Sequence, residues 1–153
     1  MLLRSSPPKR RGATLVESAL VLNLTILLIL GMVVVGLGVF RYQQVSALAR
    51  EAARWASVHG GEWAKETNSS LTTATSIYNA AIKPMAVGID PSSLTTPPDV
   101  TWDNSSQMPV YFDSTSGKWK NNQVTVKVTY TWIPEAFLGG VTFSSTSVMT
   151  ITY

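Results

Sequence analysis

Residues 18–40 carry no formal charge, and residues 20–39 are dominated by Leu, Val, Ile and Gly, interrupted in polarity only by Asn23 and Thr25. A run of roughly 20 such residues is long enough to cross a bilayer as a helix. Lipid offers no hydrogen bonds, so a single span must satisfy its own backbone, and helix is the state that does so. Arg4, Lys9, Arg10 and Arg11 precede the run, whereas the far flank mixes Arg41, Arg50 and Arg54 with Glu51. The upstream excess of positive charge predicts a cytoplasmic N-terminus. A secretory signal cut after Ala47-Leu48-Ala49 is the competing reading. Such signals have apolar cores of about 7–15 residues, shorter than this one, and the small residues here come several positions late.

Beyond the span the helical pattern continues into water. Val45, Leu48, Ala49, Ala52 and Ala56 recur at spacings of three and four, which lines them along one face. Arg50 and Arg54 sit four apart on another, with Glu51 as a local partner. Gly60-Gly61 is a natural stop, because glycine takes the left-handed conformation that ends helices. The predicted helix covers residues 13–59, with the span at 18–40. A second helix is predicted over about 69–83, capped by Asn68 or Ser69 and ended by Pro84 and Gly88. Strands follow over about 100–112, 123–132 and 142–153. The clearest is the second, where Val124, Val126, Val128 and Tyr130 alternate with Thr125, Lys127 and Thr129. The sum is an α+β chain: a long N-terminal helix, a short second helix and a small, mostly antiparallel sheet covering the first helix's exposed half, with residues 60–153 as a head.

Arg10-Arg11-Gly12-Ala13-Thr14-Leu15-Val16-Glu17-Ser18-Ala19-Leu20-Val21-Leu22 resembles the start of TadE-like proteins, the minor pseudopilins of the tight-adherence (Flp, type IVc) pilus of bacteria and archaea. Phe40-Arg41-Tyr42-Gln43-Gln44 and Ala49-Arg50-Glu51-Ala52-Ala53-Arg54 are similar to a later stretch of the same family. The resemblance implies a pilin-like fold and a basic leader, residues 1–12, removed by a membrane-embedded prepilin peptidase between Gly12 and Ala13. It makes Glu17 the glutamate at position five of the mature chain. Its implied partners are that peptidase, the membrane, and other pilin subunits with their assembly machinery, in an oligomer or filament. The implied location is the inner membrane, single-pass, and then the extracellular pilus. Two positions depart from the family pattern: Ser18 stands where an aromatic is common, and Asn23 where a proline is common, which predicts a less kinked helix.

A charge at the start of a membrane helix is costly and tends to have a task. Glu17 has two candidate roles. One is to complement the positive end of the helix dipole. The other follows from cleavage: a new α-ammonium on Ala13, protonated near neutral pH, would attract the Glu17 carboxylate of a neighbouring subunit in low dielectric. Gly31, Gly36 and Gly38 are candidates for close helix packing, although glycine is also simply common in such helices. Phe137 and Leu138, in an apolar, glycine-rich connection, are either core packing or a subunit contact.

Composition narrows the remaining functions. The chain has no cysteine, hence neither a disulfide nor a thiol nucleophile. Its net charge of +3 falls away with the leader, which holds four of the 12 Lys and Arg and leaves 8 against 9 acidic residues. No nucleic-acid role is expected. A lone histidine, His59, excludes a multi-imidazole metal site, and its expected place is a helix C-terminus. Asp90, Asp99, Asp103 and Asp113 lack a calcium-loop spacing. No catalytic residue, metal or cofactor is expected. Five tryptophans, at 55, 63, 102, 119 and 132, read as packing residues, with Trp63 and Trp119 as candidate exposed contacts. Two other readings remain open: a signal-anchored membrane protein whose external domain binds a partner or ligand, and a soluble domain released after Ala49.

Overall fold

The computed structural model describes residues 11–134 and 139–153. One helix, α1 (Arg11–Val58), runs unbroken for 48 residues, with no proline anywhere in it. The chain divides into two compact units at the Leu37–Gly38 bond. The first contains α1 up to Leu37. Over residues 26–37 its side chains are apolar on every side and mostly face outward: Leu28 is 63% and Met32 78% exposed. A helix that is apolar on every side has no aqueous face, which is the signature of a membrane span. Among the described residues it is the one helix long and apolar enough to cross a bilayer.

The second unit, Gly38–Tyr153, has a conventional core. Val45, Leu48, Ala49, Ala52, Ala53 and Ala56 of α1 are buried there against Ile77, Ile82, Leu94, Ile151 and the sheet. Alanine at four of those six helix positions keeps the helix surface low enough for strands to pack closely on it. The three-stranded sheet has the order β1 (Asp99–Trp102), β4 (Gln123–Trp132), β5 (Val141–Thr150), antiparallel throughout. Central β4 turns Val124, Val126, Val128 and Tyr130 inward, so the alternation in the sequence is the alternation of burial. Each such side chain contributes about 1.5–3 kcal/mol on burial. The fold class is α+β.

Several local features differ from the sequence reading. Gly60 does not end α1 in a left-handed conformation; its backbone is extended, φ −85°, ψ −155°. What requires glycine is crowding, since a Cβ there would lie 2.7 Å from both the Gln107 carbonyl and the Ile151 Cγ2. A short helix, α2 (Gly61–Glu66), starts at once. The next cap falls at Thr73 rather than Asn68 or Ser69: the Thr73 hydroxyl accepts from the Ser76 N–H while the Ser76 hydroxyl accepts from the Thr73 N–H, a reciprocal capping box. From there α3 (Ala74–Ile77) passes through a π-helical turn (Tyr78–Ile82) into α4 (Lys83–Met85). Pro84 therefore lies inside helical structure, and the wide turn before it relieves the clash a proline makes with the carbonyl four residues back. The stretch expected as a strand over about 100–112 is two strands, β1 and a second that joins no larger sheet. β2 (Val110–Asp113) pairs instead with β3 (Lys118–Asn121), forming a separate hairpin.

Candidate assembly helix

Glu17 lies four residues beyond Ala13, so its Cα is one helical turn, about 6 Å along the axis, from the backbone nitrogen that cleavage would free. Side chains on a helix tilt toward its N-terminus, which aims the carboxylate back at that nitrogen. With α1 beginning at Arg11, Glu17 is past the first turn, where the dipole effect has largely decayed. The dipole role is therefore weak in the uncut chain. Glu17 is exposed, and among the described residues it makes no ion pair.

The face it occupies is not uniformly apolar. Thr14, Glu17, Ser18 and Thr25 border one shallow groove with Val21 and Leu22 between them. Thr25 satisfies its hydroxyl on its own helix, donating to the Val21 carbonyl at 2.8 Å. Intrahelical bonding of this kind lets a hydroxyl reside in lipid and still serve a neighbouring helix. Sequence reasoning overlooked Thr14 and Thr25 as companions of Glu17, and took Ser18 only as a family departure. The signal was their spacing of four and seven.

The three candidate packing glycines separate in the structure. Gly31 and Gly36 are exposed, and a Cβ at either would meet nothing within 4 Å. Five residues apart, they point about 140° from one another and cannot form one strip. Gly38 is buried by its own head, with Trp132 Cζ3 3.2 Å from where a Cβ would stand. Trp132 stacks on Phe143 (6.0 Å between centroids), and Phe143 meets Tyr42 edge-on (6.2 Å). Phe137 and Leu138 lie outside the described residues.

In the head, His59 stacks on Trp55 with centroids 3.9 Å apart, meets Trp63 edge-on at 4.8 Å, and places Nδ1 2.8 Å from the Trp55 carbonyl. These contacts make it a closing element of α1. Trp63 is half-buried in that cluster, whereas Trp119 on the β2–β3 hairpin is 71% exposed and touches Phe112 edge-on. On the opposite face of the hairpin Lys120 pairs with Asp113 at 2.5 Å. Lys120, with Ser116 and the Thr115 N–H, holds the Asp113 carboxyl well below the usual carboxylate range. Asp90 is lowered by Ser92, whose N–H it accepts.

No curated protein and no solved structure matches this chain. The family model of TadE-like proteins does match, over residues 12–54, which begins at Gly12, includes Glu17 and the whole apolar segment, and ends within the Ala-rich face buried by the head. A helix fit for a single membrane crossing, followed without a break by the core helix of an α+β head, is thus the part of this chain that is TadE-like.

Proposed function

We propose that the chain is a minor pilin-like subunit of a tight-adherence pilus or its assembly complex, cut after Gly12 and inserted among other subunits through α1. The observation that carries this reading is the family match starting at Gly12 on a helix with two different halves. One half is exposed and mainly apolar and so needs lipid or other helices, and the other is the spine of a folded head. The N-terminus lies in the cytoplasm before cleavage, and the helix leaves the inner membrane on assembly.

Cleavage would create an ammonium on Ala13 one turn from Glu17. In an isolated subunit the two can neutralise each other within one helix. In an assembly the ammonium of one subunit and the carboxylate of the next come together, and at 4 Å and an effective dielectric near 20 that attraction is about 4 kcal/mol before desolvation is counted. Thr14, Ser18 and Thr25 provide hydroxyls along the same face. Pairing of this kind favours correct axial register over unspecific helix clustering.

Release of a soluble domain after Ala49 fits poorly with the core, because it would remove Val45, Leu48 and Ala49, all buried. A signal-anchored binding protein has one observation in its favour, the exposed Phe112–Trp119 pair. The two readings separate on Glu17. Wild type and Glu17→Ala are compared in membrane and sheared-surface fractions. The pilin reading expects wild type in both, and the variant cut normally but confined to the membrane. Equal distribution of both proteins would remove the assembly role of Glu17.

A further inference from the structure

The chain enters its second unit at Gly38, so whatever lies beside Gly38 and Arg41 lies beside the point where it leaves the apolar segment. Three chain-distant pieces meet there. Trp132, at the end of β4, covers Gly38, and Ile133 follows it, 71% exposed. The loop after α4 is tied to α1 by the Arg41 guanidinium, which donates to the Gly88 carbonyl at 2.5 Å and to Gln44 Oε1 at 3.0 Å. Gly88 has φ +74°, which glycine adopts freely, so the loop turns at a defined place. That loop presents Val87, 77% exposed, and Met85 at the end of α4 is exposed just before it. Phe40, next to Arg41 in the chain, is exposed as well.

Large aliphatic side chains held outward by an ordered loop and a strand end, around the exit of a membrane helix, have one natural solvent. We propose that this end of the head rests on the bilayer α1 crosses, with Val87, Ile133 and Met85 dipping into the boundary between headgroups and acyl chains. The surrounding chemistry is that of a membrane interface: the amphipathic rings of Trp132 and Tyr42, and the exposed Lys83 two residues before Met85, whose long stem can reach phosphates while its methylenes stay in the apolar layer. The proposal rests on α1 spanning a membrane, and not on cleavage or pilus assembly.

The absence of cysteine makes the test direct. Val87→Cys, Ile133→Cys, Leu28→Cys in the span and Thr115→Cys in the β2–β3 turn are each spin-labelled in the full chain. They are reconstituted into vesicles of equal parts phosphatidylcholine and phosphatidylglycerol, and relaxation by oxygen and by a water-soluble nickel chelate is compared. The expected oxygen-to-nickel ratio at positions 87 and 133 is several-fold above that at 115 and below that at 28. Ratios at 87 and 133 equal to that at 115, with a lipid-like ratio at 28, overturn the proposal alone. A water-like ratio at 28 overturns the membrane reading beneath it. Dipolar broadening at 87 or 133 that vanishes on dilution with unlabelled protein assigns the surface to a second copy, and overturns it also.

Discussion

Replacing Gly60 with alanine puts a methyl group into occupied space. The backbone there is extended, a conformation alanine adopts without strain, so the whole penalty comes from neighbours. The new Cβ would lie 2.7 Å from the Gln107 carbonyl and 2.7 Å from Ile151 Cγ2, with the Tyr153 carbonyl closer still. Two of these are backbone oxygens that no side-chain rotation can move. The Gly60 N–H donates to Tyr153 at 2.9 Å and the Gly61 N–H to Gln107 at 2.7 Å, so pushing either carbonyl away also weakens a bond. Overpacking costs about 1–3 kcal/mol, and a weakened hydrogen bond about 0.5–1.5 kcal/mol. The sum is about 2–4 kcal/mol, which for a unit of this size lowers Tm by about 10 °C or more. Thermal unfolding of the full chain in detergent, followed by near-ultraviolet circular dichroism of the packed tryptophans, reads this shift. Gly31→Ala and Gly36→Ala, with open space around them, should leave the transition of the head unchanged. If Gly60→Ala melts within about 2 °C of wild type, the crowding at the end of α1 is not what requires glycine there.

Asn122, fully buried, accepts from the Asn104 N–H at 3.0 Å and donates to the Asn104 carbonyl at 3.1 Å; Asn122→Ala strands both groups and should cost about 2–4 kcal/mol in a denaturant melt. Ile77→Ala empties a fully buried site and should cost about 2–5 kcal/mol by the same assay. Asp113 has a folded-state pKa below its unfolded value, so its contribution is complete above the ordinary carboxylate range and is lost as pH falls through that range and below. Acid titration of hairpin order, read from Trp119 fluorescence, should show that loss, and Asp113→Asn should abolish it.

The α+β class was legible because two signals were uninterrupted. No proline breaks residues 11–58, and β4 alternates cleanly because one of its faces is buried and the other is not. β3 had no such signal. Lys118-Trp119-Lys120-Asn121 is exposed at every position and is a strand only because the Asp113–Gly117 turn folds it back on β2. The second helix was displaced for a related reason: Asn68, Ser69 and Thr73 are all competent caps, and only the serine three residues beyond Thr73 completes a reciprocal pair.

The candidate assembly helix stands out in the sequence by its charges and less so by its faces. Gly12, Ala13 and Glu17 stand out by order along the chain. Whether a glycine is free for a neighbouring helix depends on what the head does, and Trp132, 94 residues beyond Gly38, settles that for Gly38 alone. The polar strip of Thr14, Ser18 and Thr25 beside Glu17 was present as spacing, but hydroxyls are common enough in apolar helices that the three do not read as one face. Contacts between distant segments, such as Arg41 on the Gly88 carbonyl, leave no local trace in sequence at all.

The central claim is that the chain is cut after Gly12 and works through the helix that begins at Ala13. Mass spectrometry of the N-terminal peptide, from membrane and sheared-surface fractions of cells expressing wild type or Gly12→Ala, tests it most directly. The account predicts a wild-type chain starting at Ala13 in both fractions and a Gly12→Ala chain that keeps its leader and stays in the membrane. An intact leader on wild-type protein, or a start at Arg50, would contradict it.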